Sequence, residues 1–311
     1  MWKPCELRGG PAAIEGRPGH GSLAPSRRHL LTTGQMDTAT HASEASIGVL
    51  SDRLRQLDRV VVGFSGGVDS GLVAWLANDV LGPERTLVAT AVSPSLPQAE
   101  RDECAQLADE WGLRWIEVLT DEMEEAAYTR NDGDRCYWCK DALLRALEPF
   151  ATAEAATVVL GVNVDDLGDH RPGQRAAAER GAVFPLVDAG FAKSDVRALA
   201  QELGLRTWDK PAAACLASRL PYGTPVTLRR LAEVEQAEAG LRALGFAELR
   251  VRHYGELARI EVPVADLATV VARAEAVVAA VQAAGYRYVT LDLEGLRSGN
   301  LNLALGPTSG S

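Results

Sequence analysis

The chain of 311 residues is 47% hydrophobic and 24% charged, with mean hydropathy near −0.05. This composition fits an ordinary globular protein long enough for two cores, and no run approaches the roughly 20 apolar residues that span a bilayer. A net charge of −10 argues against a surface for nucleic acid or anionic membranes, and five cysteines are too few for a disulfide scaffold.

Residues 1–45 carry many Gly, Pro, Ser and Thr, no apolar periodicity and no signal-type apolar core, and read as a disordered extension. From Ser46 to Leu205, short β-branched runs alternate with helical patterns. Strands are expected at Val60–Phe64, Thr86–Val92, Arg114–Leu119 and Thr157–Val162. Helices are expected at Gly71–Leu81, Gln98–Trp111, Asp141–Ala153 and Lys193–Leu203, the last opened by Ser194 or Asp195 and closed by Gly204. This alternation predicts a parallel, doubly wound α/β sheet with ligands beyond the carboxyl ends of its strands. After residue 205 the pattern changes to a helix at Leu228–Gly245, strands at Glu248–His253 and Ala258–Val262, helical sequence over Val264–Ala284 and a strand at Tyr286–Leu291. That describes a smaller α+β unit over 206–305, followed by a flexible tail at 306–311.

Charge divides the chain at the same place. Residues 46–205 hold 15 basic and 27 acidic side chains, whereas residues 206–311 hold 12 and 11, with arginine supplying all the basic ones but Lys210. An arginine-rich second unit suits bidentate contacts with phosphate or carboxylate, although arginine also serves as an ordinary surface residue.

Ser65-Gly66-Gly67-Val68-Asp69-Ser70 lies between the first strand and its helix. Glycines allow a tight turn that aims backbone N–H groups at an anion, the helix N-terminus adds orphan donors, and Asp69 can hold Mg²⁺ on bound phosphates. The loop lacks the Gly-Lys-Ser/Thr of a Walker site, which suits a grip on pyrophosphate as leaving group and hence adenylation of a substrate. The hexapeptide resembles the PP-loop of ATP pyrophosphatases. Asn163, Asp165, Asp166 and Asp169 follow the fourth strand, where nucleotide or metal ligands are expected, while turn formation is their plain alternative. Lys193 and Arg197 open a helix and could reach phosphates or face solvent.

Cys136 and Cys139 form a Cys-x-x-Cys pair flanked by Arg135 and Lys140, and Cys215 follows in Lys210–Arg219. Such thiols can bind zinc or an iron–sulfur cluster, or form a disulfide, and three thiolates leave one corner of a [4Fe–4S] cluster open. Cys104 falls on the apolar face of a helix and reads as core packing. Arg250 and Arg252 alternate on one strand and so share a face. With Arg219 and Arg259 they could bind a phosphate or carboxylate, or they form a surface charge ladder. Trp138 and Tyr222 could stack on an aromatic base or simply pack.

Ser93–Pro97, Asn131–Lys140, Gly161–Gly173, Lys210–Gly223 and Leu291–Gly299 together resemble the LarE family of ATP-dependent sulfur transferases, over residues 47–303. The resemblance implies an adenine nucleotide alpha hydrolase-like domain that uses ATP and Mg²⁺ to adenylate a carboxylate of pyridinium-3,5-biscarboxylic acid mononucleotide. Sulfur then displaces AMP, and two rounds give the ligand of the nickel-pincer cofactor. ATP contacts are expected at Ser65, Gly66, Gly67, Asp69, Ser70, Asn163, Asp165, Asp166 and Lys193. The resemblance further implies that Arg250, Arg252, Glu235, Glu238 and Glu261 belong to a phosphate and metal site, beside which Arg219 and Arg259 are expected to contact the substrate. Cys136, Cys139 and Cys215 match the family's three-cysteine form, thought to carry an extra sulfide on a [4Fe–4S] cluster; sacrifice of the Cys215 sulfur is the alternative. A cytoplasmic homo-oligomer, trimeric or hexameric, is implied as well. A PP-loop tRNA thiolase, an ammonia-using amidating enzyme and a nucleotide sensor without turnover are the competing readings. The first would need a basic track for RNA.

Overall fold

The computed structural model describes residues 38–168, 172–212 and 214–297. Its first helix, α1 (Thr38–Leu57), begins inside the stretch expected to lack structure. The apolar spacing that supports it starts later: Ile47, Leu50, Leu54 and Leu57 form one face, with Leu50 and Leu54 fully buried.

The strands β1 (Val60–Gly63), β2 (Thr86–Val92), β3 (Trp115–Leu119) and β4 (Thr157–Leu160) form a parallel sheet in the order β3-β2-β1-β4. The apolar runs of β1, β2 and β4 reflect cover on both faces, while the edge strand β3 is more exposed. Val60, Val62, Val88 and Val159 face one core with α1, α2 (Val68–Leu81) and α8 (Lys193–Glu202). Val61, Leu87, Ala89, Val118 and Leu160 face the other, with Leu144 and Leu147 of the long helix that precedes β4. The helix α3 (Gln98–Glu110) carries Cys104 and Leu107 into the first core, so Cys104 packs as its position predicts.

Between β3 and β4 lie the single turn α4 (Ala126–Thr129) and α5 (Arg135–Glu154). The last begins six residues before the expected start, which places Cys136 and Cys139 among its first five residues. After β4 come α6 (Pro172–Glu179) and the short α7 (Pro185–Asp188), neither of which the apolar pattern announced.

In the second unit, α9 (Leu228–Ala243) starts at Thr227, whose hydroxyl accepts the Arg230 N–H at 3.3 Å. The strands β5 (Arg250–Tyr254) and β6 (Leu257–Glu261) pair antiparallel, and β7 (Tyr288–Leu291) adds in parallel beside β6. The expected helical stretch at 264–284 is broken into a 3-10 turn, α10 (Leu267–Ala272) and α11 (Ala274–Ala283). Arg273 makes the break: it leaves helical geometry (φ −109°, ψ 23°), donates to the Leu244 carbonyl and lies over the Phe246 ring. Ala237 and Leu241 of α9 and Val277 and Val281 of α11 close a separate core on this sheet.

Candidate active site

Chain order runs β1, β2, β3 toward one edge and then returns to β4 on the other side of β1. The point where strand order reverses is therefore the β1/β4 boundary, at whose carboxyl end ligands bind in such sheets. The glycine loop occupies that end. Gly66 takes φ +66°, and a Cβ there would meet the Cys104 Sγ at 3.0 Å. The Ser65 N–H donates to the Ser70 Oγ at 3.1 Å, and the two hydroxyls lie 3.0 Å apart. No side chain caps the N-terminus of α2 at Gly67, so its first N–H groups face the loop. Gly161, just past β4, comes so close that a Cβ would lie 2.5 Å from the Ser70 nitrogen.

Around this loop the expected nucleotide residues converge. Asn163 donates to Asp69 Oδ1 at 3.0 Å, and Lys193 forms an ion pair with Asp69 Oδ2. Asp165 accepts the Lys193 backbone N–H at 2.8 Å, and Asp166 accepts that of Asn163 at 3.2 Å. Asp169 lies outside the described residues. Arg197 is turned to the carbonyls of Trp208 (2.8 Å) and Lys210 (3.1 Å).

The thiols lie on two segments stitched together by buried polar groups. Asn131, fully buried with φ +61°, donates to the Pro221 and Thr224 carbonyls at 2.8 and 2.9 Å. Arg135, the first residue of α5, donates to Asn131 Oδ1 at 2.5 Å and to the Ala217 carbonyl at 2.8 Å. Leu216 N–H donates to the Ser95 carbonyl at 2.8 Å. Cys139 and Cys215 consequently pack on one apolar patch with Tyr128, Leu216 and Leu220, while Cys136 is exposed. Burial, then the neighbouring Cys215 and Glu122, push the Cys139 thiol up to about 12. Burial opposes the charge of Arg135, yet Cys215 and Cys136 beside it raise its pKa. Trp138 donates to Asp134 at 3.0 Å and stands edge-on to Tyr137; Tyr222 is half-buried.

Among the described residues, no three His, Cys, Asp or Glu side chains close on a point as ligands of one metal ion would. Of the three thiols expected to act together, Cys139 and Cys215 share one apolar patch, whereas Cys136 is exposed and lies outside it.

The arginines and glutamates of the second unit form ion pairs behind Cys215. Glu238, fully buried, accepts Arg219 Nε and Nη2 at 2.9 and 3.3 Å, Arg242 at 3.0 Å and the Val251 N–H at 3.1 Å. Glu261, also fully buried, pairs with Arg252 at 3.0 Å and with Arg259 at 2.8 Å. Arg219 and Arg252 also reach the cysteine loop, donating to the Ala214 carbonyl (2.6 Å) and the Ser218 carbonyl (2.8 Å) respectively. Arg250 is held less fully: burial, then Arg219 and Arg252 nearby, lower its pKa, and it donates to the Arg297 carbonyl at 3.2 Å. Glu235 lies apart from this group and accepts the Gln98 N–H of α3 at 2.7 Å. Asn131, Arg135 and Ser95 were missed as organisers; their signal was membership in the motifs that carry the resemblance.

Fold, switch point and loop define a PP-loop α/β domain, and the NAD synthase family matches residues 46–135. An uncharacterized protein of Synechocystis sp. is 45% identical over 266 residues, 84% of this chain and 98% of its own. The pyridinium-3,5-bisthiocarboxylic acid mononucleotide synthase of Lactiplantibacillus plantarum is 41% identical over 250 residues, 80% of this chain and 91% of its own. An uncharacterized protein of Methanocaldococcus jannaschii is 27% identical over 241 residues, 77% and 91% of the two chains. The chain belongs to the family of the L. plantarum synthase, the LarE family. Among the described residues no helix is long and apolar enough to cross a membrane.

Proposed function

We propose that this chain is an ATP-dependent sulfur transferase that converts the carboxylates of pyridinium-3,5-biscarboxylic acid mononucleotide to thiocarboxylates in nickel-pincer cofactor synthesis. One observation carries this reading. The segment around Cys215 is bonded both to Ser95, beyond β2 of the nucleotide sheet, and to Arg135 beside the Cys-x-x-Cys pair, so thiols and PP-loop share one framework.

A carboxylate resists nucleophiles until its oxygen becomes part of a good leaving group. A substrate carboxylate oxygen attacks the α-phosphorus of ATP, the bond from that phosphorus to the bridging oxygen breaks, and pyrophosphate leaves with the electron pair. The Ser65–Ser70 loop and the start of α2 offer N–H and hydroxyl donors to the departing charge, and Asp69 holds Mg²⁺. Sulfur then attacks the acyl carbon and AMP departs with the acyl–oxygen electron pair. The exposed face of Arg250, short of compensating anions beside Arg219 and Arg252, suits the substrate's 5′-phosphate or second carboxylate.

Cys136, Cys139 and Cys215 would hold a [4Fe–4S] cluster, which when bound supplies a sulfide at the iron no thiol occupies. The second route uses the Cys215 thiolate itself. It forms a thioester, and removal of the Cα proton with cleavage of the Cβ–S bond leaves the sulfur on the product and dehydroalanine in the chain. Free thiols suit the reducing cytoplasm for either.

Anaerobic purification with iron and sulfide analysis, on wild type and Cys136→Ala, tests the cluster. A brown chromophore lost in the variant supports it. A colourless wild type that loses about 34 Da at Cys215 on turnover assigns the sulfur to that residue. Absence of pyrophosphate release on adding the mononucleotide to enzyme and ATP overturns the whole reading.

A further inference from the structure

We propose that Lys210 is the cation that takes hold of the pyrophosphate, substituting from a distant loop for the lysine that the PP-loop lacks. This rests on the reading above that ATP is cleaved between its α and β phosphates.

The Lys210 Nζ donates to the Gly66 carbonyl at 3.2 Å and pairs with Glu100 at 2.8 Å. It also lies 3.6 Å from the position a Cβ on Gly66 would take, so it rests directly against the turn of the loop. An ammonium has three donors, and these bonds account for two of them. Lys193, the other lysine of the site, is engaged with Asp69. The base of the Lys210 side chain is fixed, because its N–H donates to the Thr207 carbonyl at 3.1 Å and its own carbonyl accepts from Arg197. Only the four-carbon stem is left to swing. Glu100 keeps 25% of its side chain exposed and Lys210 17%, so the pair stands at the edge of the site, where the ammonium can exchange one anion for another. A pyrophosphate anion on the loop would offer Lys210 more charge than Glu100 does, at a site already lined by the donors of α2 and Ser65. Glu100 thus serves as the anion's place-holder while the loop is empty of phosphate.

The test is calorimetric titration of inorganic pyrophosphate with Mg²⁺ into the full chain, without the mononucleotide. Lys210→Ala is expected to weaken binding tenfold to a hundredfold, as loss of one charge-assisted hydrogen bond does, and Lys210→Arg to restore most of it. Glu100→Gln should tighten binding about threefold by releasing the lysine, and this gain should vanish in the double variant Glu100→Gln/Lys210→Ala. Lys210→Met repeats the measurement should the alanine variant fold poorly. Pyrophosphate affinity within about twofold of wild type in a well-folded Lys210→Ala overturns the assignment, as does a Glu100→Gln gain that persists without Lys210. Either result leaves the sulfur-transfer reading untouched, since that is decided by mononucleotide-dependent pyrophosphate release in wild type.

Discussion

Glu238→Ala removes a carboxylate on which four donors converge, and its effect can be worked from the geometry. Glu238 has no exposed surface, Arg219 keeps only 6% of its side chain exposed, and their two bonds are 2.9 and 3.3 Å long. Replacing the carboxylate with a methyl group strands the Arg219 guanidinium without its counter-charge and leaves the Val251 N–H unbonded. Breaking a buried pair from one side costs about 3–5 kcal/mol, because the remaining charge stays desolvated. Arg219 retains its bonds to the Ala214 and Cys215 carbonyls, which favours the lower end of that range. Glu238→Gln keeps the volume and an acceptor but loses the charge, so it should fall between wild type and alanine. The control is Arg229→Ala, which breaks a pair whose arginine is 86% exposed and should cost less than about 1 kcal/mol. Urea unfolding followed by circular dichroism gives all three values. A Glu238→Ala cost no larger than that of Arg229→Ala would refute the assignment of Glu238 as the buried counter-charge of the loop.

Three further outcomes are expected. Asp69→Asn should lower substrate-dependent pyrophosphate release about a hundredfold to a thousandfold with little change in melting, because it removes a charge from the phosphate site without emptying a core position. Gly161→Ala would force a Cβ to within 2.5 Å of the Ser70 nitrogen, and backbone has little room to yield. A destabilisation of about 1–3 kcal/mol together with loss of ATP turnover is expected, read by thermal melting and a pyrophosphate assay. Burial pushes the Cys104 thiol up from its ordinary 9.0 to about 11, so the folded state holds this proton more tightly than the unfolded chain. That stabilisation is complete below about pH 9 and is lost as pH rises toward 11; urea midpoints over this range should fall more steeply in wild type than in Cys104→Ala.

What the sequence allowed to be read, and what it hid, follows from the range of the forces involved. The runs of β1, β2 and β4 are apolar because both faces are covered, a local signal that strand reading captures. The glycine loop was equally legible, since its geometry depends on residues next to one another. Helix α5 was placed too late because its first turn is stabilised from outside, with Arg135 reaching Asn131 and Ala217. The interruption at Arg273 depends on Phe246 and Leu244, which no window around 273 contains. The alternation of Arg250 and Arg252 correctly put them on one face. That Arg252 would be committed to Glu261 and the Ser218 carbonyl required the tertiary structure. Lys210 shows the same limit: its loop partner is 144 positions away in sequence.

The loop that bears Cys215 is fastened by its main chain. Its carbonyls at Ala214, Cys215, Ala217 and Ser218 are gripped by Arg219, Arg135 and Arg252, and its Leu216 N–H by Ser95. None of these attachments passes through the cysteine sulfur. A protein that surrenders that sulfur would therefore keep its shape afterwards, and one that recovers it by repair or reloading would find the position already set. The main chain around Cys215 is thus held independently of what happens at its side chain.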